Sequence, residues 1–175
     1  MRISPHQIPH EGREVDLTMD EKWAREGVGQ GVGGKTLSLN GQLFLRAYEA
    51  QIRVTGTVDS EVELVCDRCA KDLRWSQDGE LDLSYLPIGS RDDGSRALAS
   101  DELDIGFYPL EGLDLGRVLQ EFFALEVPGR LSCDAPNAVP LEGESCSPLG
   151  TVQEPTKRAD PRFAALAGLK LSGEG

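Results

Sequence analysis

The sequence predicts an α+β protein: a β-rich antiparallel meander, open or barrel-like, packed with one main amphipathic helix and short terminal helices. Three observations carry this. Apolar residues fall at every second position as Leu37/Leu39, Leu43/Leu45, Ile52/Val54, Val58 and Val62/Leu64, and again as Leu81, Leu83 and Tyr85. That is the period of strands with one face in a core. In "LEGLDLGRVLQEFFALEVP" the period changes: Leu115, Val118, Leu119, Phe122 and Phe123 form one helical stripe. The chain also carries 20 Gly and 10 Pro, many between the periodic runs, which favours several short connections.

In chain order, "REVDL" (13–17) reads as a short extended segment. "TMDEKWAREGV" reads as a short helix, with Thr18 and Glu21 as a capping box, Trp23 as core anchor and Gly27 as its end. The glycines that follow predict a flexible linker into the sheet. "NG" at 40–41 and "TG" at 55–56 are candidate turns or bulges. "KDLRW" and "GELDLSYLP" continue the meander, and residues 88–103 form a polar, acidic loop. Asp114 caps the main helix and Pro128 stops it. Residues 1–128 thus make a single β-rich domain. Residues 129–175 make a loop-rich, Cys-containing extension, closed by a short helix in "DPRFAALAGLKL" whose apolar face needs this domain or a partner to cover it. The N-terminal dozen residues, with His6 and His10, are expected to fray.

The net charge is −12, and it is uneven: residues 78–126 hold 12 acidic and 3 basic side chains. Such a middle repels phosphate backbones, which are normally held by Lys and Arg, and it attracts basic partners. Acidic surface also serves plain solubility. No apolar run approaches the ~20 residues of a membrane span, and "MRISPHQIPHEG" lacks the apolar core of a secretory signal. A cytoplasmic protein with reduced or metal-bound thiols is the expectation.

"GQGVGGKT" (29–36) matches the phosphate-loop pattern, with Gly29, Gly34, Lys35 and Thr36 at its defining positions. A working phosphate loop needs a strand before the glycines and a helix beginning at the Lys-Thr end. Here the predicted order is inverted, so the match reads as chance and no nucleotide is expected.

Cys66 and Cys69, in "VCDRC", have the spacing of half a zinc site on a tight turn. Redox chemistry would want the second thiol in a helix, whereas strand-like "DLRW" follows. Cys133 and Cys146 stand in the Pro/Gly-rich segment with twelve residues between them. All four could close a tetrahedral zinc site; alternatively the first pair shapes a hairpin and the others are free. No catalytic residue emerges: there is no H-E-x-x-H, no G-x-S-x-G and no Cys–His pairing.

The order of elements, with "CDRC", the Asp-Leu…Glu…Leu-x-x-Pro helix and the terminal "DPRFAAL", resembles the YceD family of large ribosomal RNA subunit accumulation proteins over residues 15–171. The resemblance implies a β-rich, non-enzymatic protein of large-subunit biogenesis. It is tied to 23S ribosomal RNA and to a small ribosomal protein that is itself often zinc-binding. Cys66 and Cys69 match the family's C-x-R-C. Many relatives carry a denser second set with C-x-x-C, where this chain has only Cys133 and Cys146. Set beside the charge, the expected partner is a basic ribosomal protein or assembly factor of the large subunit, with 23S RNA reached indirectly. Asp101, Glu102, Asp104, Glu111, Asp114 and Glu121 are the candidate contacts. The alternatives are a zinc-dependent RNA-binding module and, with only the glycine motif behind it, a nuclease or nucleotide hydrolase.

Overall fold

The computed structural model describes residues 1–88, 105–143 and 146. Its elements are β1 (Arg2–Ile3), β2 (Arg13–Thr18), α1 (Lys22–Val32), β3 (Lys35–Tyr48), β4 (Gln51–Val65), β5 (Asp72–Pro87), β6 (Ile105–Tyr108), β7 (Leu113–Asp114), α2 (Leu115–Glu126) and β8 (Ala138–Pro140), with a 3-10 turn at Pro5–Gln7. The class is the α+β one expected. The sheet runs β2-β3-β4-β5-β6 and is not a closed barrel among the described residues. The first four strands are antiparallel; β6 joins β5 in parallel, and β8 pairs with the start of β5.

Alternation drives this meander. Ile52, Val54, Val58, Val62 and Leu64 of β4 are buried, as are Leu43 and Leu45 of β3 and Leu73, Trp75, Leu81 and Tyr85 of β5. A bulge between Thr36 and Ser38 shifts the pattern at the start of β3, so Thr36 and Leu39 are buried there. The glycines of "NG" and "TG" make no turn. Both lie inside long paired strands, and the hairpin reverses at 49–50, where Glu49 takes a φ of 55°. A Cβ on Gly41 would stand 2.3 Å from the Thr57 carbonyl oxygen, a close backbone approach that needs glycine.

The helices cover the core face together, and here the linker expectation fails. α1 does not end at Gly27; it runs through Gly27, Gly29 and Gly31 and closes at Gly33, whose φ is 68°. The reason is its neighbour. A Cβ on Gly27 would lie 2.5 Å from the Gly116 carbonyl oxygen, and one on Gly31 would lie 2.6 Å from that of Gln120. The glycines let α1 and α2 touch backbone to backbone. The expected capping box is also absent: Glu21 is the N-cap without a side-chain cap bond, and its carboxylate instead accepts from the Trp23 indole at 2.7 Å. Ala24, Val28 and Val32 are the buried anchors, with Trp23 only half-buried. α2 matches expectation, with Asp114 accepting from the Gly116 N–H.

Nor does the N-terminus fray. Ile3 is buried, β1 pairs with β7, and the Leu115 N–H donates to the Met1 carbonyl at 2.9 Å. The expected 88–103 loop lies, apart from residue 88, outside the described residues, as does the terminal helix.

Candidate metal centre

Four thiols meet at the end of the sheet. Cys66 follows β4, and the connection to β5 is a tight turn: the Cys66 N–H donates to Lys71 at 2.8 Å, the Ala70 N–H to Cys66 at 2.9 Å, and Ala70 takes a φ of 58°. This curl aims Cys66 and Cys69 the same way. The chain leaving α2 then returns to the turn. The Asp67 N–H donates to the Leu131 carbonyl at 2.8 Å, and the Leu131 N–H donates to the Asp67 carboxylate at 2.6 Å. Two residues on, Cys133 reaches the cluster. β8 and the Ser76–Asn137 and Leu141–Asp72 backbone bonds hold the rest of the segment to β5.

The Cys66 and Cys146 sulfurs are 4.0 Å apart, those of Cys69 and Cys133 are 3.6 Å apart, and all four lie within 4.8 Å of one another. A tetrahedral ion with Zn–S bonds near 2.3 Å has sulfur–sulfur edges of about 3.8 Å. No disulfide is present among them. The set is all sulfur, with Cys66 and Cys133 buried. Together the four cysteines could hold a metal ion.

The electrostatics favour anionic sulfur at one corner. Burial opposes ionising Cys66, but the N–H groups of Arg68 and Cys69, with neighbouring thiols, outweigh it and hold the pKa below the ordinary thiol value. Cys133 is pushed the other way: the Cys146 backbone favours its thiolate, but burial and hydrogen bonds with the neighbouring thiols prevail. The Arg68 guanidinium lies 3.8 Å from the Cys146 sulfur and is gripped by Asp134 at 3.1 and 3.2 Å. Arg68 and Asp134 were not foreseen as site residues. The sequence hint was that an acidic residue follows both Cys66 and Cys133.

The other candidates are placed differently. Gly29 lies inside α1, Gly34 precedes β3, and Lys35 and Thr36 open that strand. Thr36 is buried and donates its hydroxyl to the Arg25 carbonyl; Lys35 stands 4.0 Å from Glu63. Asp114 is committed to capping α2 and lies 3.6 Å from the terminal ammonium. Glu121 accepts from the Tyr85 hydroxyl at 3.4 Å and faces Arg117 at 3.7 Å. Glu111 is exposed in the turn before β7. Asp101, Glu102 and Asp104 lie outside the described residues.

The family model described as large ribosomal RNA subunit accumulation protein YceD matches residues 54–170. The chain belongs to the YceD family. The match takes in both cysteine pairs, β5 and α2, so the site above lies within it. No curated protein and no solved structure matches the chain. The family's description ties its members to accumulation of large-subunit ribosomal RNA, a role that names no reaction. Among the described residues no helix is long and apolar enough to cross a membrane.

Proposed function

We propose that the protein supports large-subunit assembly and accumulation of 23S ribosomal RNA in the cytoplasm without catalysing a reaction. It does so by binding a basic ribosomal protein or assembly factor. The observation that carries this, beside family membership, is the charge: 12 acidic against 3 basic residues across 78–126. This stretch supplies much of β5 and all of α2, and it is the wrong sign for gripping a phosphate backbone and the right sign for steering a basic protein. Zinc is the metal that best suits four thiolates in a closed set. Its role is structural, pinning the chain that follows α2 to the β4–β5 turn through Cys133 and Cys146, and Arg68 offsets part of the negative charge that four thiolates confer.

The test is a titration of the purified protein against individual large-subunit ribosomal proteins and against 23S fragments at two salt concentrations, with metal content measured on the same sample. The expected result is salt-sensitive binding to a basic protein, none to bare RNA, and one zinc per chain. Tight binding to bare RNA with no protein partner would instead favour the zinc-dependent RNA-binding module. A fully folded, metal-free protein would remove zinc from either reading.

A further inference from the structure

β5 is covered unevenly on the side away from β4. β8 pairs with it over 73–75 and β6 over 84–87. Among the described residues no strand pairs with 77–83 on that side, a run of roughly 23 Å at ~3.3 Å per residue. An open strand edge is a template for another strand.

The two faces beside this edge differ in chemistry. Asp78, Glu80 and Asp82 alternate on the exposed face. On the other face Gly79, Leu81 and Leu83 turn toward α2, and the Phe122 ring fills the space above Gly79. Here a groove of about 500 Å³ opens between β5, β6 and α2, with Leu83, Ile105, Phe122 and Leu125 as apolar walls and Glu121 and Glu126 as carboxylates. Among the described residues no Lys or Arg lines it. Leu125 is 86% exposed. Part of the charge is balanced locally: Asp82 pairs with Arg53, and Glu121 lies near Arg117. Glu126 accepts only from the neutral Gln77 side chain among the described bonds.

We propose that the 77–83 edge of β5, with the α2 groove beside it, is where the partner docks, and that the partner contributes an extended segment alternating basic and apolar residues. The reasoning rests on the proposed partner being a basic protein. A strand added at this edge presents successive side chains to opposite faces. One set would meet Asp78, Glu80 and Asp82; the other would meet Leu83, Phe122 and Leu125. The chain's own residues 89–104 hold five acidic and two basic side chains, so by charge they are a poor occupant.

The probe is a seven-residue peptide alternating Lys or Arg with Val, titrated into the full chain. Wild type should bind it. Leu125→Asp and Glu80→Lys, both at exposed positions, should each weaken binding about tenfold, ~1.4 kcal/mol, while Glu14→Lys on distant β2 stays within twofold. A peptide of the same composition with basic and apolar residues in separate blocks, or one N-methylated at alternate amides, should bind far more weakly. Equal binding of either would overturn strand addition. A benzophenone side chain at position 125 identifies the occupant in the presence of a large-subunit protein. Cross-linking to a basic segment of that protein supports the proposal, and cross-linking to this chain's own 151–175 or to a second copy overturns it. If wild type and both variants bind a large-subunit protein equally, this docking face fails and the partner class stands. If the edge binds the peptide but no large-subunit protein binds wild type, the partner class fails and the edge remains a site.

Discussion

Replacing Gly31 by alanine tests whether the glycine stretch is a helix contact. In an isolated helix this change stabilises by ~1 kcal/mol, because alanine has the higher propensity. Here the new Cβ would stand 2.6 Å from the Gln120 carbonyl oxygen and 3.0 Å from the Phe123 Cβ, where ordinary contact begins at 3.4 Å. α1 and α2 would have to separate by about 0.8 Å. Overpacking costs about 1–3 kcal/mol, and against a backbone carbonyl oxygen at 2.6 Å the upper half of that range applies, so the propensity gain is outweighed and a net loss of about 1–2 kcal/mol is expected. For a domain of this size that lowers Tm by about 2–8 °C. Gly27→Ala meets the Gly116 carbonyl at 2.5 Å and should behave alike. The double variant should lose less than the sum, since one separation relieves both contacts. Gly33→Ala is the control: nothing lies within 4 Å of its Cβ, but its φ of 68° makes alanine cost ~1 kcal/mol through backbone strain alone. Thermal and urea unfolding of the four variants measure this. A Gly31→Ala protein as stable as wild type, or more so, would refute the close crossing.

Three further outcomes are expected. Asp114→Ala should cost about 1 kcal/mol through loss of the α2 cap, and Asp114→Asn much less. Urea midpoints read this, and they also warn that weakened partner binding by Asp114→Ala is not evidence of contact. Hydrogen bonding and charge from Arg53 hold the Asp82 pKa below its ordinary value, so the pair contributes stability above the ordinary carboxylate pKa and loses it as pH falls through the depressed one. The gap between wild type and Arg53→Gln should therefore shrink below about pH 4, and a gap unchanged at pH 2.5 would count against the pair. Chelation of the metal should strip amide-exchange protection from Asp67, Leu131 and Leu141 while leaving β3 and β4 protected. Uniform loss across the sheet would mean the metal supports the whole fold.

Much of this was legible because the periodic segments agree with their surroundings. β4 buries every apolar residue its alternation assigns inward, and α2 starts at the Asp114 cap that its sequence offers. The misreadings share one physical origin, contacts between residues distant in sequence. Glycine's low helix propensity argued against a helix through 27–32, and only packing on Gly116 and Gln120 reverses that balance. β1 is two residues long and its partner, Leu113–Asp114, is over a hundred residues away, so no local pattern could announce it. The "NG" signal proposed a turn or bulge, while the chain passes through it in regular pairing and reverses at Glu49 instead, a residue with little preference for positive φ. Cys133 and Cys146 lack ligand spacing of their own. Their approach to Cys66 and Cys69 depends on the Asp67–Leu131 bonds and on the pairing of β8 with β5, which join unremarkable residues.

The cysteine cluster and the open edge share β5, and the chain leaving α2 links them. After Glu126 it turns at Val127, whose N–H bonds the Phe123 carbonyl, and within five residues Leu131 is tied to the β4–β5 turn. The exit of α2 is therefore anchored at the thiol cluster, and Leu125 and Glu126 occupy that last helical turn. Closing the four thiols on an ion would fix where this turn lies over β5, and hence the width of the groove beside residues 77–83. On this geometry a structural metal and a docking edge are one arrangement: the ion would set the wall against which an added strand packs.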